Sequence, residues 1–349
     1  MTEATTPPDC DRLRQLIEQL RDRPIVVVAD LVADRFLSGW ARRISREAPV
    51  LILEQESIEL VPGGGANAIA NVRSLGGSPR PIGVVGSDDS GHDLVADLAA
   101  RGLLTEGITE LAGHLTPTKT RVLGGSTAAS RQQIVRIDSG DSLELEGATR
   151  ERLLEAIGAA LEGVPSATVV FSDYGYGVAT PELCAAVQSR RADVQILVDS
   201  RYRLAEYQGI DAATPNQEEA EALVGSRLDE EDALLEHAPA LRRRLDVDKL
   251  LITRGRRGMA LILENGVAFI PIYGTDQVVD VTGAGDTVIG AFSLALAAGA
   301  TGLEASLLAN YAGGVAVMKA GTATVTATDL LDAVEADADL PERVRWRSF

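Results

Sequence analysis

The residues best suited to chemistry lie between Val278 and Phe292. An apolar run leads through Asp280 into Thr282-Gly283-Ala284-Gly285-Asp286-Thr287, and an apolar helical stretch follows directly. Gly283 and Gly285 let the backbone turn tightly and approach a ligand closely. The first amides of a helix lack intrahelical acceptors, and the helix dipole adds partial positive charge beside them. The amides of Ala284, Gly285 and Asp286 are therefore candidates for an anion hole, with Gly283 permitting the turn. Such a hole suits a phosphate whose charge must be stabilised during transfer. Asp286 falls in the first helical turn, where its carboxylate can accept a proton from a substrate hydroxyl. The same run also fits an Asp-capped helix after a glycine turn, and the local pattern leaves both readings open. A Walker loop is excluded, because its lysine-ended glycine pattern is absent and no lysine lies near these glycines. The dinucleotide fingerprint also fails: position 288 is Val, and the first strand at 25–30 has no glycine motif after it.

Several elements must position this run. Leu13, Leu16, Ile17 and Leu20 recur at helical spacing within 9–22, after a tail at 1–8. Ile25 to Ala29 reads as a buried strand that delivers Asp30 at its end. Extended stretches are expected at Val50–Leu53 and Ile58–Val61, and a helix after Gly63-Gly64-Gly65 to Leu75. Residues 81–85 form another apolar run, followed by a helical stretch through Leu94, Leu98 and Leu103. Two extended segments are expected in 117–137, separated by Gly124-Gly125-Ser126 and the small residues after them. Helices at 149–162 and 180–190 precede strands at 167–171 and 194–198. Further strands are expected at 249–253, 259–263, 267–272 and 277–281, with helices at 285–298 and 303–318. This alternation predicts an α/β fold with a mainly parallel sheet covered by helices on both faces. The pieces at 35–61 and 117–137 break the alternation and predict a small antiparallel flap over the site.

Composition narrows the function. The chain has 349 residues, with 33 Lys and Arg against 51 Asp and Glu, for a net charge of −18. A nucleic-acid partner is not expected, since such proteins show a basic footprint. An anion can still be held, but only by local cations. The 2 cysteines, Cys10 and Cys184, give neither a disulfide framework nor a zinc spacing. The first residues carry no apolar signal core, and no apolar run is long enough to span a membrane. A cytoplasmic protein without a membrane partner is expected.

Asp280 to Thr287 resembles the signature of the ribokinase-like, or PfkB, carbohydrate kinases. Pro62-Gly63-Gly64-Gly65-Ala66-Asn67 is similar to the early glycine motif of that family, which lies along the sugar. Thr214-Pro215-Asn216-Gln217-Glu218-Glu219 resembles its N-x-x-E region. Thr253-Arg254-Gly255 with Gly258-Met259 resembles its late nucleotide-side strand. The resemblance spans about 24–335, leaving 1–23 as an N-terminal tail and helix and 336–349 as a C-terminal tail. Within the family, the heptose 7-phosphate kinases are most similar. Arg43 to Val50, Asp30 with Asp34-Arg35, Pro117 to Val122, Gln132 to Asp138 and Ser172-Asp173-Tyr174 match their motifs. The chain departs from them at Tyr176, where they carry lysine, and at Asp199-Ser200-Arg201, where they carry DPK. Residues around Gly125–Ala129 form an insertion, and the expectation is a kinase half alone, with no nucleotidyltransferase domain after 335.

The resemblance implies a sugar kinase that uses ATP and Mg²⁺, with heptose 7-phosphate as the leading acceptor through O1. Another sugar or nucleoside, or a weakly catalytic binding protein on the same fold, are the alternatives. Asp286 would be the general base. Asp30, Asp34 and Asn67 would bind sugar hydroxyls along Gly64 and Gly65. Lys119, Arg121 and Arg136 would supply charge for a sugar phosphate. Asn216 and Glu219 would organise Mg²⁺ through water, with Asp173, Thr253, Gly255, Thr282 and Asn310 on the nucleotide side. Each has a plainer alternative: an Asp34 ion pair with Arg35 or Arg43, solvated flap cations, or helix caps at Asn216 and Asp173. The family's flaps often pair two subunits, so a homodimer is expected, with Val50, Ile52 and Ile58 as candidate contacts.

Overall fold

The computed structural model describes residues 6–125, 132–164, 166–191, 193–274, 280–319 and 321–349. Helix α1 (Cys10–Gln19) starts at Asp9, whose side chain accepts the Arg12 amide. It buries Leu13, Leu16 and Ile17, and Arg12 pairs with Glu304 at 2.7 Å. Strand β1 (Pro24–Ala29) lies within the main sheet. Its side chains alternate: Ile25, Val27 and Ala29 enter one core, Val26 and Val28 the other. That period of two places apolar layers on both faces of the sheet.

The chain then leaves the sheet in two long strands, β2 (Leu31–Ile44) and β3 (Leu51–Gly64). They pair antiparallel from Leu31↔Gly64 outward. The two short stretches expected in 50–61 are thus one continuous strand. Helix α2 (Gly65–Ser74), strand β4 (Ser78–Gly86), helix α3 (Asp89–Ala100) and strand β5 (Ile108–Leu111) follow. Strands β6 (Thr118–Gly125) and β7 (Gln132–Ser139) form a second antiparallel hairpin. It joins the first through parallel pairing of β2 with β6, giving a four-stranded flap in the order β3-β2-β6-β7. Most of the insertion expected around Gly125–Ala129 lies outside the described residues.

Regular alternation resumes with α4 (Gly147–Leu161), β8 (Thr168–Asp173), α5 (Pro181–Arg190) and β9 (Gln195–Ser200). Next come β10 (Ile210–Ala213), α6 (Gln217–Val224), α7 (Glu231–Leu245) and β11 (Val247–Thr253). Strands β12 (Met259–Leu263) and β13 (Gly266–Ile270) turn antiparallel. The strand expected at 277–281 lies largely outside the described residues. Helices α8 (Ala284–Ala297), α9 (Gly302–Val317) and α10 (Ala327–Ala336) then pack on one face. Strand β14 (Arg345–Ser348) pairs with β13. Residues 336–349 are therefore not a loose tail. Leu340 is fully buried, Trp346 packs on the core, and β14 completes the sheet edge.

Among the described residues the main sheet has ten strands, ordered β14-β13-β12-β11-β10-β9-β8-β1-β4-β5. It runs parallel from β11 to β5. The carboxyl ends of β1, β8 and β9 meet the base of the flap and the start of α8, which is where open α/β sheets bind ligands.

Candidate active site

Gly283 takes φ 79° and caps α8, so the strand-side chain turns directly into the helix. A Cβ there would approach Asn67 Nδ2 to 2.5 Å. Glycine is required both for the backbone angle and for the closeness of Asn67. The Ala284 amide folds back on Val281 O at 3.3 Å, which leaves the amides of Gly285 and Asp286 as the open donors of the first turn among the described residues. Gly285 is exposed at the cleft, whereas Asp286 is 2% exposed.

Both oxygens of Asp286 are held. Asn67 Nδ2 donates to Oδ2 at 2.9 Å, and the Tyr174 hydroxyl donates to Oδ1 at 2.6 Å. Asn67 is fixed in turn through Asn71, whose amide donates to Asn67 O and Oδ1. Burial raises the Asp286 pKa to about 6, against the lowering effect of these two donors and Lys119 and with the help of Asp34. A carboxylate poised there can switch between base and acid near neutral pH.

On the flap side, Asp34 and Lys119 are cross-strand partners on β2 and β6. Asp34 pairs with Arg121 at 2.7 Å, not with Arg35 or Arg43. Gly63 lies so close that a Cβ would meet Asp34 Cγ at 2.6 Å. The Lys119 ammonium sits 5.2 Å from the centre of the Tyr174 ring. Burial lowers its pKa, with Arg201 and Arg136 acting in the same direction and Asp34 and Asp138 opposing. Arg136 is bound by Asp138 at 2.8 Å and is half exposed on β7. Lys119 is thus a flap cation whose charge reaches the base, and Arg201, just after β9, acts on it.

The nucleotide side is a cleft of about 860 Å³ between α6, the turn after β11, and the faces of α8 and α9. Asn216, Thr253, Gly255, Ala284, Gly285 and Asn310 all line it. Asn216 and Glu219 form a reciprocal capping box on α6: Asn216 Oδ1 accepts the Glu219 amide at 2.9 Å, and Glu219 Oε2 accepts the Asn216 amide at 2.8 Å. One Glu219 oxygen remains beyond the cap. Burial raises the Glu219 pKa, and Arg201 opposes it. Asp199 lies in the same acidic group. Its pKa stands well above the ordinary value through burial first, then through Glu219 and Asp286. Asn310 borders the cleft, but its amide is spent on Pro271 O at 2.9 Å. Thr282 gives its amide to Asp280 Oδ1 at 2.9 Å, and Gly321 gives its own to Oδ2 at 3.2 Å. Burial would raise Asp280, but these donors and Arg121 hold it below the ordinary range.

Three expected ligand residues are structural instead. Asp30 is fully buried, and its oxygens accept the amides of Tyr174, Tyr176, Val178 and Ala179 at 2.8–3.3 Å. That leaves no lone pair for a sugar; Asp30 shapes the loop after β8. Asp173 is 1% exposed and accepts from Ser200, Arg203, Tyr207 and the Gly175 amide. It anchors a buried polar cluster and does not line the cleft. Gly65 donates its amide to Asp30 O, and Ala29 fills the space a Cβ would need. Gly64, at φ 52°, turns β3 into α2. Two residues at the centre were given no role by the sequence: Tyr174 and Asp199. Each lay inside a recognised motif, so position next to Asp173 and Arg201 was the available signal.

Residues 25–329 match the family model described as pfkB family carbohydrate kinase. A curated relative, the bifunctional protein HldE of Mesorhizobium japonicum, is 36% identical over 94% of this chain and 65% of its own length. HldE of Erwinia tasmaniensis is 39% identical over 89% of this chain and 63% of its own. The chain thus spans a little under two-thirds of the length of these relatives. Among solved structures, phosphofructokinase-2 of Escherichia coli with fructose-6-phosphate aligns with a TM-score of 0.71 and 22% identity. It covers 90% of this chain and 99% of that one. Ribokinase of Arabidopsis thaliana with ribose and ATP aligns at 0.70 and 21%, with the same coverage. These likenesses show a ribokinase-like fold. With the signature run starting α8 and the family match covering most of the length, the chain belongs to the PfkB family of carbohydrate kinases.

Proposed function

We propose that the chain transfers the γ-phosphate of ATP to a hydroxyl of a sugar phosphate, with heptose 7-phosphate as the leading acceptor and O1 as the attacking oxygen. The observation that carries this reading is the place of Asp286. It stands at the first turn of α8, between the 860 Å³ cleft and the flap, with both oxygens oriented by donors. Asp286 takes the proton of the acceptor hydroxyl. The open amides of Gly285 and Asp286 stabilise the charge on the transferring group. Asp34 and Asn67 stand on the acceptor side, and Lys119 is the cation for its phosphate. The remaining work is positioning and charge neutralisation, as phosphoryl transfer requires.

The donor set also fits Mg²⁺ held through water. Among the described residues no cluster of three metal-ligating side chains converges. Asn216 at the cleft, with the Glu219 carboxylate capped against it and Asp199 nearby, would organise hydrated Mg²⁺ to neutralise the triphosphate. The heptose assignment rests on the motif matches from Arg43 to Val50 and at Pro117 to Val122. An ATP-consuming site fits the cytoplasm. The test is Mg-dependent ADP release with a panel of sugars and sugar phosphates. Turnover is expected with heptose 7-phosphate, and Asp286→Asn should lower kcat by about 10²–10⁴-fold. ATP binding without turnover on any acceptor would instead support a binding protein, with Tyr176 as its mark. That tyrosine lies on the flap side, where Asp138 and Tyr202 raise its pKa after burial.

A further inference from the structure

Tyr174 ends a chain of contacts that runs from the first strand to the base. Asp30 clamps the amides of Tyr174 and Tyr176, which fixes the loop after β8. The loop then drives the Tyr174 side chain under the flap, against Gly64 and beneath Lys119. Its hydroxyl ends on Asp286 Oδ1 at 2.6 Å. Asn67 holds the other oxygen from α2, so the carboxylate cannot rotate without breaking one bond. From this geometry we propose that Tyr174 is a positioning residue: its hydroxyl locks the Asp286 carboxylate in the orientation that accepts the proton of the attacking hydroxyl, and its ring seats Lys119 beside it.

This rests on Asp286 as the base. The hydroxyl does two things to that carboxylate. It removes a rotational freedom that would otherwise have to be lost in the transition state. It also donates to the charged form, which favours ionisation. Several other charges act on the same carboxylate and set the background: Asp34 from β2, Lys119 from β6 and Asp199 from β9, while Arg201, just after β9, acts on Tyr174 itself. Tyr174 itself stays protonated, because burial and then Asp286 push its pKa up. It is a permanent donor and exchanges no proton in the reaction.

Tyr174→Phe keeps the ring under Lys119 and deletes only the hydroxyl. A lost bond to a charged group predicts a fall in kcat of about tenfold to a hundredfold. KM for both substrates should stay within about twofold. The acid limb of the kcat profile should move to higher pH, since a donor to the charged form is gone. Tyr174→Leu removes the ring as well, and should add a rise in KM for the phosphorylated acceptor. Titration of the Asp286 carboxyl by carbon-13 NMR, assigned by its loss in Asp286→Asn, reads the same effect without turnover. It should shift upward in Tyr174→Phe. An unchanged titration in Tyr174→Phe, with or without a loss of kcat, would overturn the proposal. Full turnover in Asp286→Asn would instead overturn the base assignment, so the two failures are distinct.

Discussion

Asp286 shows the conflict between stability and chemistry in one side chain. Function needs an anion beside open amides, and the fold buries it to 2% exposure. Burial outweighs the two donors and lifts its pKa from 3.8 to about 6. The sign follows from linkage. A carboxyl whose folded pKa is raised favours the folded state when protonated, so its contribution is full below about pH 4 and lost as pH rises to about 6. Activity has the opposite dependence, because only the anion accepts a proton. The acid limb of kcat should therefore fall near pH 6, and Asp286→Asn should lose the matching stability trend. Between pH 4 and pH 7 the stability of Asp286→Asn relative to wild type should improve by roughly 2–3 kcal/mol. Part of that improvement is relief of Asp199, whose own pKa is raised by burial, Glu219 and Asp286. Urea unfolding of both proteins at the two pH values measures it. A difference that does not change with pH would mean that Asp286 titrates as an ordinary exposed carboxyl.

At the scale of elements, one sequence pattern serves two purposes. Asn216 and Glu219 close a capping box on α6, and Asn216 also borders the nucleotide cleft. Asn216→Ala should cost about 1 kcal/mol of stability through the lost cap. It should also raise the Mg²⁺ concentration for half-maximal rate several-fold. Asn216→Ser separates the two, since a serine oxygen still accepts the N3 amide. Thermal stability should recover in Asn216→Ser while the Mg²⁺ requirement stays raised. Recovery of both would reduce Asn216 to a cap. These element starts were legible in the sequence because caps and glycine turns are local signals: Gly283 before α8, the glycines before α2, Asn216 before α6. What escaped was set at long range. The Tyr174 hydroxyl meets a carboxylate 112 positions away, and Asp30 spends itself on amides some 144–149 positions distant. No periodicity carries that information. Helix α7 holds Pro239 inside it, which ordinarily argues against a helix. Strand β14 is only four residues long and exists because the edge of β13 is there to pair with it.

At the scale of the whole molecule, the flap poses the remaining question. Residues that alternate along a strand point to opposite faces, yet all of β7 is exposed. One face of the flap looks into the site, and the other carries apolar residues that no other described residue covers. Ile44, Val50, Leu51, Ile58, Ile134 and Ile137 are each between 44% and 64% exposed. Ile52, by contrast, is half buried. Apolar exposure on this scale marks an interaction surface. A second copy of the chain is the proposed occupant, and the charge balance makes that testable. Two molecules at −18 each repel one another, and salt screens the repulsion beyond about 8–10 Å. Contact between apolar flaps is not weakened by the same salt. The dimer should therefore tighten as salt rises from about 0.01 M to 0.15 M. An interface held by ion pairs would loosen instead. Sedimentation at the two salt concentrations reads the sign directly. Ile58→Asp combined with Ile137→Asp should leave only the 36.8 kDa species at both. A wild-type chain that sediments at that mass throughout would show that the apolar face of the flap does not pair two copies.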